Sequence, residues 1–236
     1  VCTSSGTSAL HIALQALKSI HKKRNEVLVP SLTYAASYQA ITGAGLKPIS
    51  CDINPKTLNI CIKDIQKKIN SHTLAIMPVH YSGDPAGINK INSLAKKSNI
   101  RVVEDAAHAF GSTFNNKLIG SFGDIACFSF DGIKNITCGE GGAIVTDDSK
   151  IITKASDIRT LGIIGDSKRR TAKKRSWTFD IEEQGYRYHM SDINAAIGLV
   201  QLKRFASFQK KRKVMAKNYD AILQKSKFLK IFKRDY

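Results

Sequence analysis

Apolar and polar positions follow two rhythms over the first two-thirds of the chain. Short apolar runs read as strands: EVLVP (26–30), KPISCDI (47–53), TLAIMPV (73–79), IRVVED (100–105), DIACFSF (124–130) and GGAIVTD (141–147). Their length and β-branched content fit strands buried on both faces. Between several of them the apolar residues recur at helical spacing, over 7–20, 35–43, 62–69 and 88–97. The alternation predicts βαβ units, hence an α/β fold with a mainly parallel sheet flanked by helices. After residue 147 the rhythm changes. A helix is expected over 150–161, followed by a basic, weakly periodic stretch to about residue 183 and a long helix from about residue 191. Ile193, Ala196, Ile197, Val200 and Leu202 predict one buried stripe on that helix. The pattern divides the chain into a domain over 1–190 and a long helix with a basic tail over 191–236.

Composition narrows the class. A chain of 236 residues, 42% hydrophobic and 24% charged, suits one large domain or one domain with an appendage. No apolar run approaches the ~18 residues of a membrane span, and the opening VCTSSGTSAL has no leader pattern, so no membrane partner is expected. Five scattered cysteines without a CxxC pair fit reduced thiols in the cytoplasm better than disulfides or a zinc site, and no metal is expected. The net charge of +18 is concentrated in SKRRTAKKRSW (167–177) and in the tail from Lys203 to Arg234. It leaves open an anionic surface, a phosphorylated substrate, nucleic acid and plain solvated helix faces. No nucleic-acid-binding motif accompanies it, so no specific nucleic-acid partner is expected.

Three stretches carry chemistry. In SSGTSALHIALQAL, small residues precede a clear helical stripe, with Gly6 allowing close approach and Thr7 or Ser8 available to cap. The free N–H groups of such an end suit a phosphate, although a plain cap is the simpler reading. In RVVEDAAHAFGS, Glu104 and Asp105 close a strand at the edge where open α/β sheets bind ligands. Side chains alternate along a strand, so only one of the two enters a given site. His108 follows and is equally readable as a structural histidine. In FSFDGIKNITCGEGG, Ser129 ends a strand and Lys134 precedes a glycine turn. Partial desolvation favours a neutral, nucleophilic amine, the form that imine-forming lysines use. An amine for an aldehyde, a carboxylate for a pyridinium nitrogen and a helix end for a phosphate are together the requirements of pyridoxal 5'-phosphate (PLP).

With these motifs, and with VPSLTYAAS, MPVHYSGDPAGI, GDIACFSFDGIKNITCGEGGAIVTDD and GYRYHMSDINAAIGLVQL, the chain resembles the DegT–DnrJ–StrS family of nucleotide-sugar aminotransferases. The resemblance implies the large domain of a fold-type-I PLP-dependent transferase over 1–190. It implies that Lys134 holds the cofactor's aldehyde and shuttles a proton, and that Asp105 pairs with the ring nitrogen. His108 would lie near the phenolic oxygen, Tyr34 would stack on the ring, and Ser129 with Gly6, Thr7 and Ser8 would bind phosphate. Glu140 would shape the turn beside the lysine. Asp131 and Gly132 stand where an aromatic or His is common, a position tied to sugar choice.

The family's dimers share sites, so a homodimer is implied, with Arg187 of GYRYHMSD reaching across where Asn is common. Substrates by resemblance are a nucleotide-diphosphate keto-sugar and glutamate as amino donor, with residues 168–175 as a candidate diphosphate contact. A PLP-dependent sugar dehydratase and an inactive paralogue acting as a binding partner are the rival readings; dehydrating relatives carry His in place of the lysine. The family also implies a segment before SSGT and a small C-terminal domain, largely missing from this sequence. A fragment, one piece of a split gene and a reduced homologue all fit.

Overall fold

The computed structural model describes residues 1–85, 87–165, 172, 178–229 and 231. The predicted alternation is present. In chain order the elements are β1 (Cys2–Thr3), α1 (Gly6–Ile20), β2 (Glu26–Pro30), α2 (Ala35–Gly43), β3 (Lys47–Cys51), α3 (Ile62–Lys68) and β4 (Thr73–Ile76). There follow α4 (Ile88–Lys97), β5 (Arg101–Asp105), β6 (Thr113–Phe114), β7 (Lys117–Leu118), β8 (Ile125–Ser129), β9 (Gly142–Val145), α5 (Ser149–Ile158) and α6 (Asp192–Leu223). Seven strands form one sheet in the order β1-β9-β8-β5-β4-β2-β3. Pairings β2–β3, β2–β4, β4–β5 and β5–β8 are parallel, while β9 joins β8 and β1 antiparallel.

The near-continuous apolar strands are explained by cover on both faces. On one face Leu10, Ala13, Leu14 and Leu17 of α1, Ile41 of α2 and Ile151, Ala155 and Ile158 of α5 pack over Val27, Val29, Val103 and Ile125. On the other, Ile65 of α3 and Ile88 and Ile91 of α4 pack over Leu28, Ile76 and Val102. A smaller aromatic cluster around Phe128 and Phe110 covers the β8 end of that second face.

Capping at α1 differs from expectation. The cap is Ser5, whose side chain accepts from Ser8 N, while the Ser8 hydroxyl accepts from Ser5 N. The helix therefore begins one residue earlier, at Gly6, and the Ser8 hydroxyl is occupied inside this reciprocal box. Gly142 makes the placement of that end possible, because a Cβ there would fall on the Ser5 carbonyl and within 2.8 Å of Gly6 N. Gly142→Ala is expected to cost ~2 kcal/mol or more by overpacking against backbone, measurable by denaturant unfolding. A change below ~0.5 kcal/mol would refute the close-approach role.

The predicted stripe on α6 is corrected. Ile193, Ile197, Val200 and Leu202 are 77%, 45%, 56% and 52% exposed, and Ala196 is exposed as well. Leu202 also falls about half a turn away from Ile193 at 3.6 residues per turn, so the five do not share one face. The inward face is held by polar bonds and one ring: Asn194 Nδ2 donates to Cys138 O, Gln209 Nε2 to Gly111 O and Arg212 Nη1 to Asn135 O. Phe205 sits edge-on against Phe110 at 5.1 Å. The basic stretch 168–175 lies outside the described residues except Ala172.

Candidate active site

Two strands and two helices deliver the candidate groups to the C-terminal edge of the sheet. Asp105, last residue of β5, is 6% exposed and faces the α1–α2 side. Its Oδ2 accepts a hydrogen bond from Ser37 Oγ at 2.7 Å and its Oδ1 accepts one from Ala107 N at 3.2 Å. Glu104 points the other way, its Oε2 2.7 Å from His80 Nε2 in a fully buried pair. One carboxylate of the pair therefore enters the site, as alternation along a strand requires.

One strand over, Ser129 closes β8 and is 7% exposed. The first turn of α1 lies against it so closely that a Cβ on Gly6 would sit 2.6 Å from Ser129 Cβ and 3.0 Å from its Oγ. The N–H groups of Gly6 and Thr7 precede the first possible intrahelical bond, whereas those of Ser8 and Ala9 are taken by Ser5. The N–H groups of Gly6 and Thr7 and the exposed Thr7 hydroxyl thus belong to a helix end that packs directly against Ser129. Such an end suits the oxygens of a phosphate. Ser8 belongs to the same turn but has spent its hydroxyl.

Lys134 follows β8 in a tight turn, closed by Lys134 N to Asp131 O and Cys138 N to Phe130 O, both at 3.0 Å. Asp131 Oδ1 accepts from Ile133 N inside the turn, and Gly132 is open to solvent. The Lys134 amine is half-buried and has no hydrogen bond or ion pair among the described residues. Next to it, Asn135 Nδ2 donates to His108 O and Phe110 O, fastening the lysine turn to the segment after Asp105. Arg212 of α6 ties the same residue from outside. His108 registers both neighbours. Its imidazole is held below the ordinary histidine range first by burial and then by the Lys134 cation, while Asp105 acts in the opposite sense.

Tyr34 caps α2 one turn before Ser37, and its ring is 79% exposed toward this edge. Glu140 is exposed in the glycine turn, and only its carbonyl is engaged, by Cys138 Sγ. Arg187 is not brought into the group. Tyr186 and Tyr188 turn inward onto His11, stacked on each other at 4.9 Å, which leaves Arg187 between them facing outward. Two clefts, of about 430 Å³ beside Lys18 and Tyr186 and about 460 Å³ beside Arg24 and Arg101, lie away from all these residues.

The sequence reading passed over Ser37 and Asn135. Ser37 is a small polar residue in the alanine-rich turn TYAAS, and Asn135 directly follows the lysine. Both gain meaning only from long-range hydrogen bonds.

This sheet order, with a buried carboxylate and a lysine turn at its C-terminal edge, is that of the large domain of fold-type-I PLP-dependent transferases. The family model described as DegT/DnrJ/EryC1/StrS aminotransferase matches residues 1–234, and the chain belongs to that family. It is 41% identical over 225 residues to the GDP-perosamine synthase of Escherichia coli O157:H7, covering 94% of this chain and 58% of that protein. Among solved structures, AtS13 from Actinomadura melliaura superposes with a TM-score of 0.89 at 32% identity, covering all of this chain and 63% of that one. The PLP form of a putative sugar aminotransferase, Spr1654 of Streptococcus pneumoniae, gives 0.85 at 30% identity, with 96% of this chain and 60% of that one. The chain spans 56–58% of the length of the curated relatives it matches.

Proposed function

We propose that the protein is the cofactor-binding part of a PLP-dependent sugar aminotransferase, moving an amino group from glutamate to a nucleotide-linked 4-keto or 3-keto 6-deoxysugar. The observation that carries this reading is the convergence of Asp105, Ser129, the opening turn of α1 and Lys134, with His108 sensing both Lys134 and Asp105. The relatives supply the sugar-aminating activity, and Lys134 favours amino transfer over dehydration.

The residues present fit the cofactor. Gly6, Thr7 and Ser129 would take its phosphate, Asp105 its ring nitrogen, His108 its phenolic oxygen and Tyr34 its ring face. PLP, when bound, supplies an electron sink for the pair left at the substrate carbon. Asp105, whose two oxygens accept from Ser37 Oγ and Ala107 N, would hold a proton on the ring nitrogen. Lys134 would hold the cofactor's aldehyde and serve as the base for the substrate's α-proton, a role that suits an amine with no hydrogen bond or ion pair among the described residues. Arg187 would serve a second copy's site, since it faces out from its own chain. A homodimer with shared sites follows, and the exposed apolar residues Ile193, Ile197 and Val200 of α6 offer a surface for it. The five free cysteines agree with a cytoplasmic setting, and surface polysaccharide or amino-sugar synthesis is the pathway class.

The test uses the purified chain with PLP, ¹⁵N-glutamate and a nucleotide-linked keto-deoxysugar. The expected outcome is 2-oxoglutarate together with a sugar nucleotide carrying ¹⁵N, from a sample whose scattering mass is twice 26.0 kDa. Loss of oxygen from the sugar without gain of nitrogen would refute the reading.

A further inference from the structure

We propose that Ser37, oriented by Thr33, is the positioning residue that fixes the Asp105 carboxylate; the assignment rests on the proposed cofactor site. Ser37 is 0% exposed although its hydroxyl is polar, and a buried hydroxyl is costly unless it is hydrogen-bonded. Its Oγ lies 2.6 Å from Thr33 Oγ1 and 2.7 Å from Asp105 Oδ2.

Proton counting gives the chain of hydroxyls a direction. An ionised carboxylate only accepts, and a serine hydroxyl has one proton. Ser37 therefore donates to Asp105, so its contact with Thr33 must be filled by the Thr33 proton. The order is Thr33 to Ser37 to Asp105, and it holds only while Asp105 is ionised. Ala107 N donates to the other oxygen. With one donor on each oxygen the plane of the carboxylate is set, and each oxygen keeps acceptor capacity for a further donor.

The placement is long-range by construction. Ser37 lies in the first turn of α2, where its N–H donates to Tyr34 O, while Asp105 ends β5. The two hydroxyls thus tie the turn that presents Tyr34 to the strand that presents Asp105. Loss of the Ser37 hydroxyl leaves Asp105 with one protein donor and its carboxylate held from one side only. The charge on Asp105 is what would hold a proton on the cofactor ring, so Ser37 acts on the cofactor through Asp105 without touching it.

The experiment compares Ser37→Ala, Thr33→Val and Thr33→Ser with the unchanged protein, in two arms. In the first, PLP affinity and the pH dependence of the bound cofactor's visible band are measured. Ser37→Ala is expected to weaken affinity about tenfold and to displace the pH midpoint of the band. Thr33→Val should have a smaller effect in the same sense, and Thr33→Ser none. In the second arm, on cofactor-free protein, exchange of the Ala107 amide is expected to quicken at least about threefold in Ser37→Ala, with Thr33→Ser unchanged. Ser37→Ala matching the unchanged protein in either arm overturns the proposal, as does a change in melting temperature alone. If the unchanged protein takes up no PLP, the proposed function fails, and the amide arm decides Ser37 by itself.

Discussion

Replacing Lys134 with alanine is expected to abolish covalent retention of PLP while leaving the fold intact. The amine has no hydrogen bond or ion pair among the described residues, so its removal orphans nothing. The turn around it is held by backbone bonds from Lys134 N and Cys138 N and by the Asn135 side chain. Stability should therefore stay within ~0.5 kcal/mol, as for other substitutions away from buried partners. Retention should change completely. After borohydride reduction, the unchanged protein is expected to carry one cofactor through denaturation, on the peptide containing Lys134. The variant should release it, and amino transfer should fall by at least about 10²–10⁴-fold, the usual contribution of a positioned acid–base group. A chain with 27 lysines can react with an aldehyde elsewhere, so the decisive readout is the modified peptide. Stoichiometric labelling of any other lysine would remove Lys134 from its role.

The parts legible in the sequence are those with a local signature. Six apolar runs match the long strands to within a few residues; β2, β4, β5 and β8 are buried along nearly their whole length and leave no alternation to misread. β1 and the β6–β7 hairpin, of two residues per strand, are too short for any periodicity; the hairpin rests on Asn115 and Asn116 at φ 49 and 61. The apolar residues of the long helix do not mark its inward face, for a physical reason. Its inward side is built from Asn194, Gln209 and Arg212 hydrogen-bonding to backbone carbonyls, while Ile193 and Ile197 are left outside.

The candidate site divides the same way. Asp105, Ser129 and Lys134 each stand at the end of a strand or just past it, which a sequence can show. Ser8 sits in the first turn of α1 but is engaged by Ser5, a choice between neighbouring serines that spacing does not decide. Ser37 is visible only once α2 lies over β5.

Asp105→Asn is expected to slow amino transfer about 10²–10³-fold, the range for removing one preorganised electrostatic partner, with little change in stability. The asparagine keeps the size of the side chain, and its oxygen still accepts from Ala107 N. Its amide faces Ser37, and the hydroxyl chain can reverse: the amide donates to Ser37 Oγ, and Ser37 then donates to Thr33 Oγ1. No buried polar group is left without a partner, so the structural penalty that follows from breaking a network is avoided. What disappears is the negative charge, and with it the hold on a proton at the ring nitrogen. Asp105→Ala would mix this chemical loss with an orphaned Ser37 hydroxyl and is the weaker test. The rate of the half-reaction with glutamate, followed by stopped-flow absorbance at saturating cofactor, separates the cases. A rate within about threefold of the unchanged protein, well under the loss expected of such a partner, would mean that the charge on Asp105 does not serve the chemistry.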